Sequence, residues 1–155
     1  MPDPSRLEEI VRTHENTLYR AALAVLADPE EARDAVQDAF LALLTKDPEF
    51  ESPEHQRAWL LRVTVNACKD RLRAQRRHPT LPLLETYPAA VPEEQSALEA
   101  VLALPPRERA VVHLFYYEGY ATREIAAITG QREGTVRSRL SRARVHLRDL
   151  LKESI

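Results

Sequence analysis

One cysteine, Cys68, and three glycines are all that the 155 residues contain of either type. A lone thiol excludes an intramolecular disulfide and any multi-cysteine zinc cluster. The few glycines form neither of the common phosphate-cradling loops. No apolar run approaches the roughly 18 residues of a membrane span, and the opening MPDPSRLEE lacks the layout of a signal peptide. The five histidines, at 14, 55, 78, 113 and 146, show no HExxH or similar spacing, so no metal site is expected. No nucleophile–base set stands out either. The chain reads as a cytoplasmic protein with no membrane insertion, no cofactor and no enzymatic activity.

Alternating strand patterns are missing as well, which leaves an all-α reading. What the chain has in plenty is charge, and its order along the sequence is informative. The net charge is −2, but residues 1–56 carry −8, residues 57–79 carry +6, residues 80–106 carry −4 and residues 107–155 carry +4. Two basic blocks suit phosphate, and the first acidic block suits a protein partner.

The apolar spacing predicts helix one over about 5–26, with Leu7, Ile10, Val11, Leu18, Ala21, Ala22 and Val25 inward. Asp28-Pro29-Glu30-Glu31 restarts the chain: Asp28 caps, Pro29 takes the first helical position, and Glu31 completes a capping box. Helix two then runs to about Thr45 with Ala32, Ala35, Val36, Ala39, Phe40, Leu43 and Leu44 inward. After a loop with an exposed Phe50, Ser52-Pro53-Glu54 repeats the same logic. It opens helix three, which runs to about Arg77 with Trp59, Leu60, Val63, Ala67 and Leu72 inward. Cys68 is a small packing residue. Arg57, Arg62, Lys69, Arg71, Arg73, Arg76 and Arg77 exceed what compensation of the helix dipole requires. Beside an exposed aromatic, such a row suits an unstacked single strand.

Four prolines within 78–92 form a short linker. The expected layout is two small helical domains, residues 1–78 and 93–155, joined by a Pro-rich linker over 79–92. In the second domain a short helix over 93–103 is broken by Leu104-Pro105-Pro106. Helix 107–118 then packs Val111, Val112, Leu114 and Phe115 against the segment that follows.

That segment, ATREIAAITGQREGTVRSRLSRARVHLRDLL, reads as a short helix, a glycine turn at Gly130 and a longer helix. Thr122 is expected to cap the first, with Glu124 in its first turn. The second repeats Val136, Leu140, Ala143 and Leu147 on a buried stripe. Its other side carries Arg137, Ser138, Ser141, Arg142, Arg144 and Arg148. Such a pair is how a helix-turn-helix enters the major groove; Arg137, Arg139 and Arg142 would reach phosphates or guanine edges.

With these stretches in view, LYRAALAVLADPEEARDAVQDAFLALL, RAWLLRVTVNACKDRLRAQRR and LPPRERAVVHLFYYEGYATREIAAITGQREGTVRSRLSRARVHLRDLL together resemble bacterial RNA polymerase sigma factors. The likeness is to the two-domain extracytoplasmic function (ECF) group of the sigma-70 family, and it spans nearly the whole chain. The resemblance implies that 1–78 is sigma region 2 and 93–155 is sigma region 4, and that the protein directs core RNA polymerase to promoters. Asp34, Gln37, Asp38 and Phe40 would bind the β′ clamp helices, and the β flap is a further contact. Phe50, Arg62, Asn66, Lys69, Arg73 and Arg76 would serve the −10 region, captured as a single strand. Arg132, Thr135, Arg137, Ser138, Arg139, Ser141 and Arg142 would read the −35 region as duplex. An anti-sigma factor is an expected partner beside core polymerase and promoter DNA. The alternative is a stand-alone helix-turn-helix regulator acting without polymerase. Two positions depart from the family pattern. Gln131 and Arg132 replace an apolar residue and a capping serine, at a cost of about 0.5–2 kcal/mol for the cap. Phe115 stands where many members have an arginine.

Overall fold

A computed structural model describes residues 3–75 and 100–153, and among these every regular element is helical. The expected all-α class holds. The chain forms two compact units, one on each side of the linker region. The linker, Arg76, Arg77 and the start of the helix expected over 93–103 lie outside the described residues.

In the first unit, α1 (Pro4–Leu26), α2 (Pro29–Lys46) and α3 (Pro53–Gln75) form a three-helix bundle in which each helix packs on the other two. Local chemistry sets the breaks. Asp3 caps α1 by accepting from the Ser5 amide, and Ala27 ends it in the left-handed region at φ 54°. Asp28 then caps α2, its carboxylate accepting from the amides of Glu30 at 3.0 Å and Glu31 at 3.3 Å. The Ser52 hydroxyl accepts from the His55 amide and so opens α3. Glu31 does not complete a capping box: its carboxylate takes Arg71 of α3 instead, at 3.0 Å.

The core of this unit is Ile10, Leu18, Ala21, Ala22 and Val25 of α1, Ala32, Ala35, Val36, Ala39 and Leu43 of α2, and Leu60, Leu61, Val65 and Cys68 of α3. Small residues line α2, which lets three helices approach closely. Two expectations need correction. Leu44 is exposed, because it sits one position past the 32–35–36–39–43 stripe and faces away from it. In α3 the buried stripe runs 60–61–64–65–68, so Trp59, Val63 and Ala67 are only half-buried. Thr64 explains the shift. It is fully buried because its hydroxyl donates to the Leu60 carbonyl at 2.8 Å, so a polar letter occupies a core position. Cys68 packs as expected, and burial pushes its thiol up to about 12 against the smaller pull of Arg71.

The second unit contains α4 (Pro106–Val112), which continues as a π-helical turn over His113–Tyr117, then α5 (Thr122–Thr129) and α6 (Glu133–Glu153). Within α4, Arg109 lies buried and donates back to the Leu102 and Leu104 carbonyls at 3.1 Å, fixing the Leu104-Pro105-Pro106 corner. Leu104, Val112 and Ala143 form a core cluster with Leu147 against it. Val111, Leu114, Ile125, Ile128, Val136 and Leu140 are also buried. The π turn departs from the plain helix expected over 107–118. The Glu118 amide donates to the His113 carbonyl, and the His113 and Tyr117 rings stack 5.0 Å apart. Gly119, at φ 77°, then lets the chain leave the helix.

Candidate functional site

The helix-turn-helix is held by its own side chains. The N-cap position of α5 is Ala121, not Thr122, and Ala121 has no side chain able to cap. Glu124 compensates by accepting from the Ala121 amide at 3.0 Å. Thr122 is thereby released, and its hydroxyl donates to the Glu133 carboxylate at 3.1 Å, bridging the start of α5 to the start of α6. Glu133 also accepts from Arg137 at 2.7 Å. Gly130, at φ 69°, makes the turn between the helices as expected. α6 begins at the Arg132 carbonyl, to which the Val136 amide donates. One residue before this start, the Gln131 side-chain amide oxygen is buried with no hydrogen-bond partner among the described residues.

Hydrogen bonds from Arg137 and Thr122 hold the Glu133 carboxyl below the usual carboxylate range. A lowered folded pKa means that the pairing contributes above the ordinary carboxylate pKa and is lost as pH falls through the folded value. The stability gap between the native chain and Glu133→Gln should therefore be open at pH 7 and narrow as the pH falls below the ordinary carboxylate range. Thermal melts at stepped pH test this. A gap that stays constant until the native chain itself unfolds in acid would mean that the ionised pair adds nothing.

Five of the seven residues expected to read duplex come together. Arg132, Thr135, Ser138, Arg139 and Arg142, with Gly134, line an open groove of about 420 Å³ along α6. A Cβ added at Gly134 would meet nothing within 4 Å, so this glycine is not a packing device. Arg137 and Ser141 are exposed but lie off the groove. Burial, together with the charges of Arg107 and Arg142, pushes the Arg139 guanidinium below its ordinary range. An anion in the groove would relieve that repulsion. Sequence reading missed Arg107, which approaches α6 only through the fold, and the bond of 2.9 Å between His146 and the buried Glu108.

On α3, Arg62, Asn66, Lys69 and Arg73 follow one another at helical spacing and share one face; Arg62, Asn66 and Arg73 are exposed and Lys69 is half-buried. Arg73 pairs with Asp70 at 3.4 Å. Phe50 is not the exposed residue expected. It is half-buried, edge-on to His55 at 5.5 Å and to Trp59 at 5.6 Å, and Trp59 lies one turn before Arg62 on the same helix. Arg76 falls outside the described residues.

Arg71 has a different role from its basic neighbours. It reaches α2, with Glu31 and Asp38 at 3.0 Å and Asp34 at 3.7 Å. Burial works against its charge, but the bonds from Glu31 and Asp38 outweigh that and raise its pKa. Asp34, Gln37 and Asp38 are exposed on the outer face of α2 as expected, and Phe40 is half-buried. The same face carries Leu41 and Leu44, 58% and 45% exposed. An acidic surface with two bare leucines suits a partner offering cations around an apolar patch.

Comparison with known proteins agrees in order and extent. Residues 10–78 match the family described as Sigma-70 region 2, and residues 94–147 match Sigma-70, region 4. The ECF RNA polymerase sigma factor SigM of Mycobacterium tuberculosis is 37% identical over 154 residues, covering 96% of this chain and 79% of that protein. The RNA polymerase sigma-E factor of Streptomyces coelicolor is 35% identical, covering 97% and 89%. Among solved structures, the sigma factor RpoE of Bartonella quintana, in complex with the anti-sigma factor NepR, superposes with a TM-score of 0.79 at 26% identity, covering 94% of this chain and 96% of that one. CnrH, in complex with the cytosolic domain of CnrY, gives 0.71 at 26% identity, covering 99% and 92%.

Proposed function

The chain belongs to the sigma-70 family of RNA polymerase sigma factors, in its ECF group, and from that premise we propose how its named surfaces divide the work. As a sigma factor it directs core RNA polymerase to promoters for transcription initiation. The observation that carries this function is the presence of both sigma regions, in order, on one chain. A stand-alone regulator would have no use for the first of them. Sigma factors are not catalysts of a reaction, and this chain acts by binding alone. It works in the cytoplasm; among the described residues no helix is long and apolar enough to cross a membrane.

Residues 1–78 act as region 2 and 93–155 as region 4. Asp34, Gln37, Asp38 and Phe40 dock on the β′ clamp helices, with Leu41 and Leu44 filling the apolar part of the contact. Region 4 meets the β flap. Arg62, Asn66, Lys69, Arg73 and Arg76 follow the backbone of the open −10 strand, and the Phe50–Trp59 pair gives an unstacked base an aromatic wall. Arg132, Arg139 and Arg142 supply charge at the −35 duplex, while Thr135, Ser138 and Ser141 keep that face of α6 shallow enough to enter the groove. Arg137 joins them by exchanging Glu133 for a phosphate. An anti-sigma factor is a partner too, in keeping with the complex of RpoE with the anti-sigma factor NepR.

Size-exclusion chromatography of the full chain with core RNA polymerase tests the assignment, with Leu41→Asp as the probe because Leu41 lies outside the Arg71 network. The native chain should co-elute. The variant should bind about thirty-fold more weakly, the effect of losing one contact worth ~2 kcal/mol. Failure of the native chain to co-elute, with tight binding of promoter duplex by the chain alone, would overturn the assignment.

A further inference from the structure

α6 carries more cation than its groove uses. At about 100° per residue, Gly134, Ser138, Ser141 and Val145 form an exposed ridge along the helix. Arg132, Arg139 and Arg142 flank one side of it, and Arg137, Arg144 and Arg148 flank the other. The first flank is the groove already described. The second lies beside the π turn that ends α4.

Arg144 is held there in a particular way. Its guanidinium carbon stands 5.9 Å from the Phe115 ring centroid and 6.0 Å from that of Tyr116. Its Nε donates to the Tyr116 hydroxyl at 2.8 Å. The two rings meet edge-on at 4.9 Å, so they form one rigid corner. Arg137, on the same flank, bonds the Glu133 carboxylate, whereas these partners of Arg144 are all neutral. Its guanidinium is therefore oriented without its charge being cancelled. An arginine fixed by rings and a phenol also loses less side-chain freedom when it meets an anion. The phenol of Tyr116, 56% exposed, accepts the Nε proton and keeps its own O–H as a donor.

A helix seated in the major groove has a phosphate strand on each side of the ridge that meets the bases. We propose that Arg144 and Tyr116 form a second duplex-phosphate contact, on the groove wall opposite Arg139 and Arg142. Arg144 supplies the charge, and Tyr116 both positions it and donates to the same phosphodiester. The inference rests on α6 being the duplex reader. A phosphate contact carries no sequence information, so it is measurable without knowing the promoter.

The test is binding of the full chain to a fluorescent mixed-sequence duplex of about 30 base pairs between about 50 and 200 mM KCl, where each phosphate neutralised contributes about 0.9 to the salt slope. Arg144→Met should flatten the slope by about that much and weaken binding roughly five-fold in mid-range salt. Arg144→Lys should keep the slope while binding about two-fold more weakly, since charge remains and the ring contacts are lost. Tyr116→Phe should also keep the slope and weaken binding about two- to three-fold, as expected for a lost neutral donor. Arg142→Ala is the control. If it flattens the slope and Arg144→Met does not, the second contact is overturned and the reading of α6 stands. If neither changes the slope, α6 is not the duplex reader. An equal loss of slope in Arg144→Lys and Arg144→Met would assign Arg144 to packing, and loss of polymerase binding with an unchanged slope would assign the corner to a protein partner; either overturns the proposal. Should Arg144→Met melt early by circular dichroism, the Lys and Phe variants decide.

Discussion

Ile125→Ala should split the unfolding of this chain in two. Ile125 is fully buried in α5, within the small core that seats α5 on α6. Truncating such a side chain costs about 2–5 kcal/mol, the methyl groups lost plus the cavity left behind. A domain of this size has little stability to spare, so the helix-turn-helix should be largely unfolded at 37 °C. The first unit has its own core, and the single tryptophan, Trp59, is a half-buried residue of that unit. In a urea titration, the tryptophan signal should keep its native midpoint while much of the helical circular dichroism is lost at far lower denaturant. The variant should still bind core polymerase through α2 but give no −35-dependent transcription. A tryptophan midpoint that fell together with the circular dichroism would show the two units to be one cooperative block.

Asp38→Arg is the obvious way to break polymerase docking, and the Arg71 network shows why its result needs a partner variant. The reversal removes a 3.0 Å bond to Arg71 and sets a second cation against it, with Glu31 and the more distant Asp34 left to offset both. Bonds to charged groups are worth about 1.5–3 kcal/mol when shielded and less when half-exposed. The expected loss for the first unit is therefore about 1–3 kcal/mol, read from the Trp59 urea midpoint. The swap Asp38→Arg with Arg71→Asp restores an opposite pair across α2 and α3 and should recover at least half of that loss. Polymerase binding should stay absent in both, because the outward charge is still reversed. Recovery of binding in the swapped chain would mean that Asp38 serves the bundle and not the interface.

These two cases also mark where the sequence was readable. The 136–140–143 stripe, the Asp28 and Ser52 caps and the Gly130 turn all depend on neighbours within a few residues, and each stands as the spacing predicts. What escaped depends on partners far along the chain. Thr64 and Arg109 look like surface letters until a backbone carbonyl is found for each. Arg71 sits in a row of cations and is told apart only by the α2 carboxylates, 33 to 40 residues earlier. Leu44 reads as core because an apolar letter is assumed to be inside, although its angle on α2 already disagreed. The π turn is invisible to periodicity, since one extra residue in a turn mimics a slight change of phase. The groove fared better: residues on one face of one helix must lie together once the helix exists, which is why Ser138, Arg139 and Arg142 were legible from spacing, while Arg132 and Thr135 came only with the family resemblance.

The ridge of α6 has a consequence for how such a protein diverges. Gly134, Ser138 and Ser141 are exposed, contribute no core packing, and sit between two rows of arginine, whose proposed phosphate contacts would be indifferent to sequence. A gene copy can change these positions one at a time while the fold and the general affinity for DNA persist. New promoter preferences are thereby open to single mutational steps, without passing through an unfolded or non-binding ancestor.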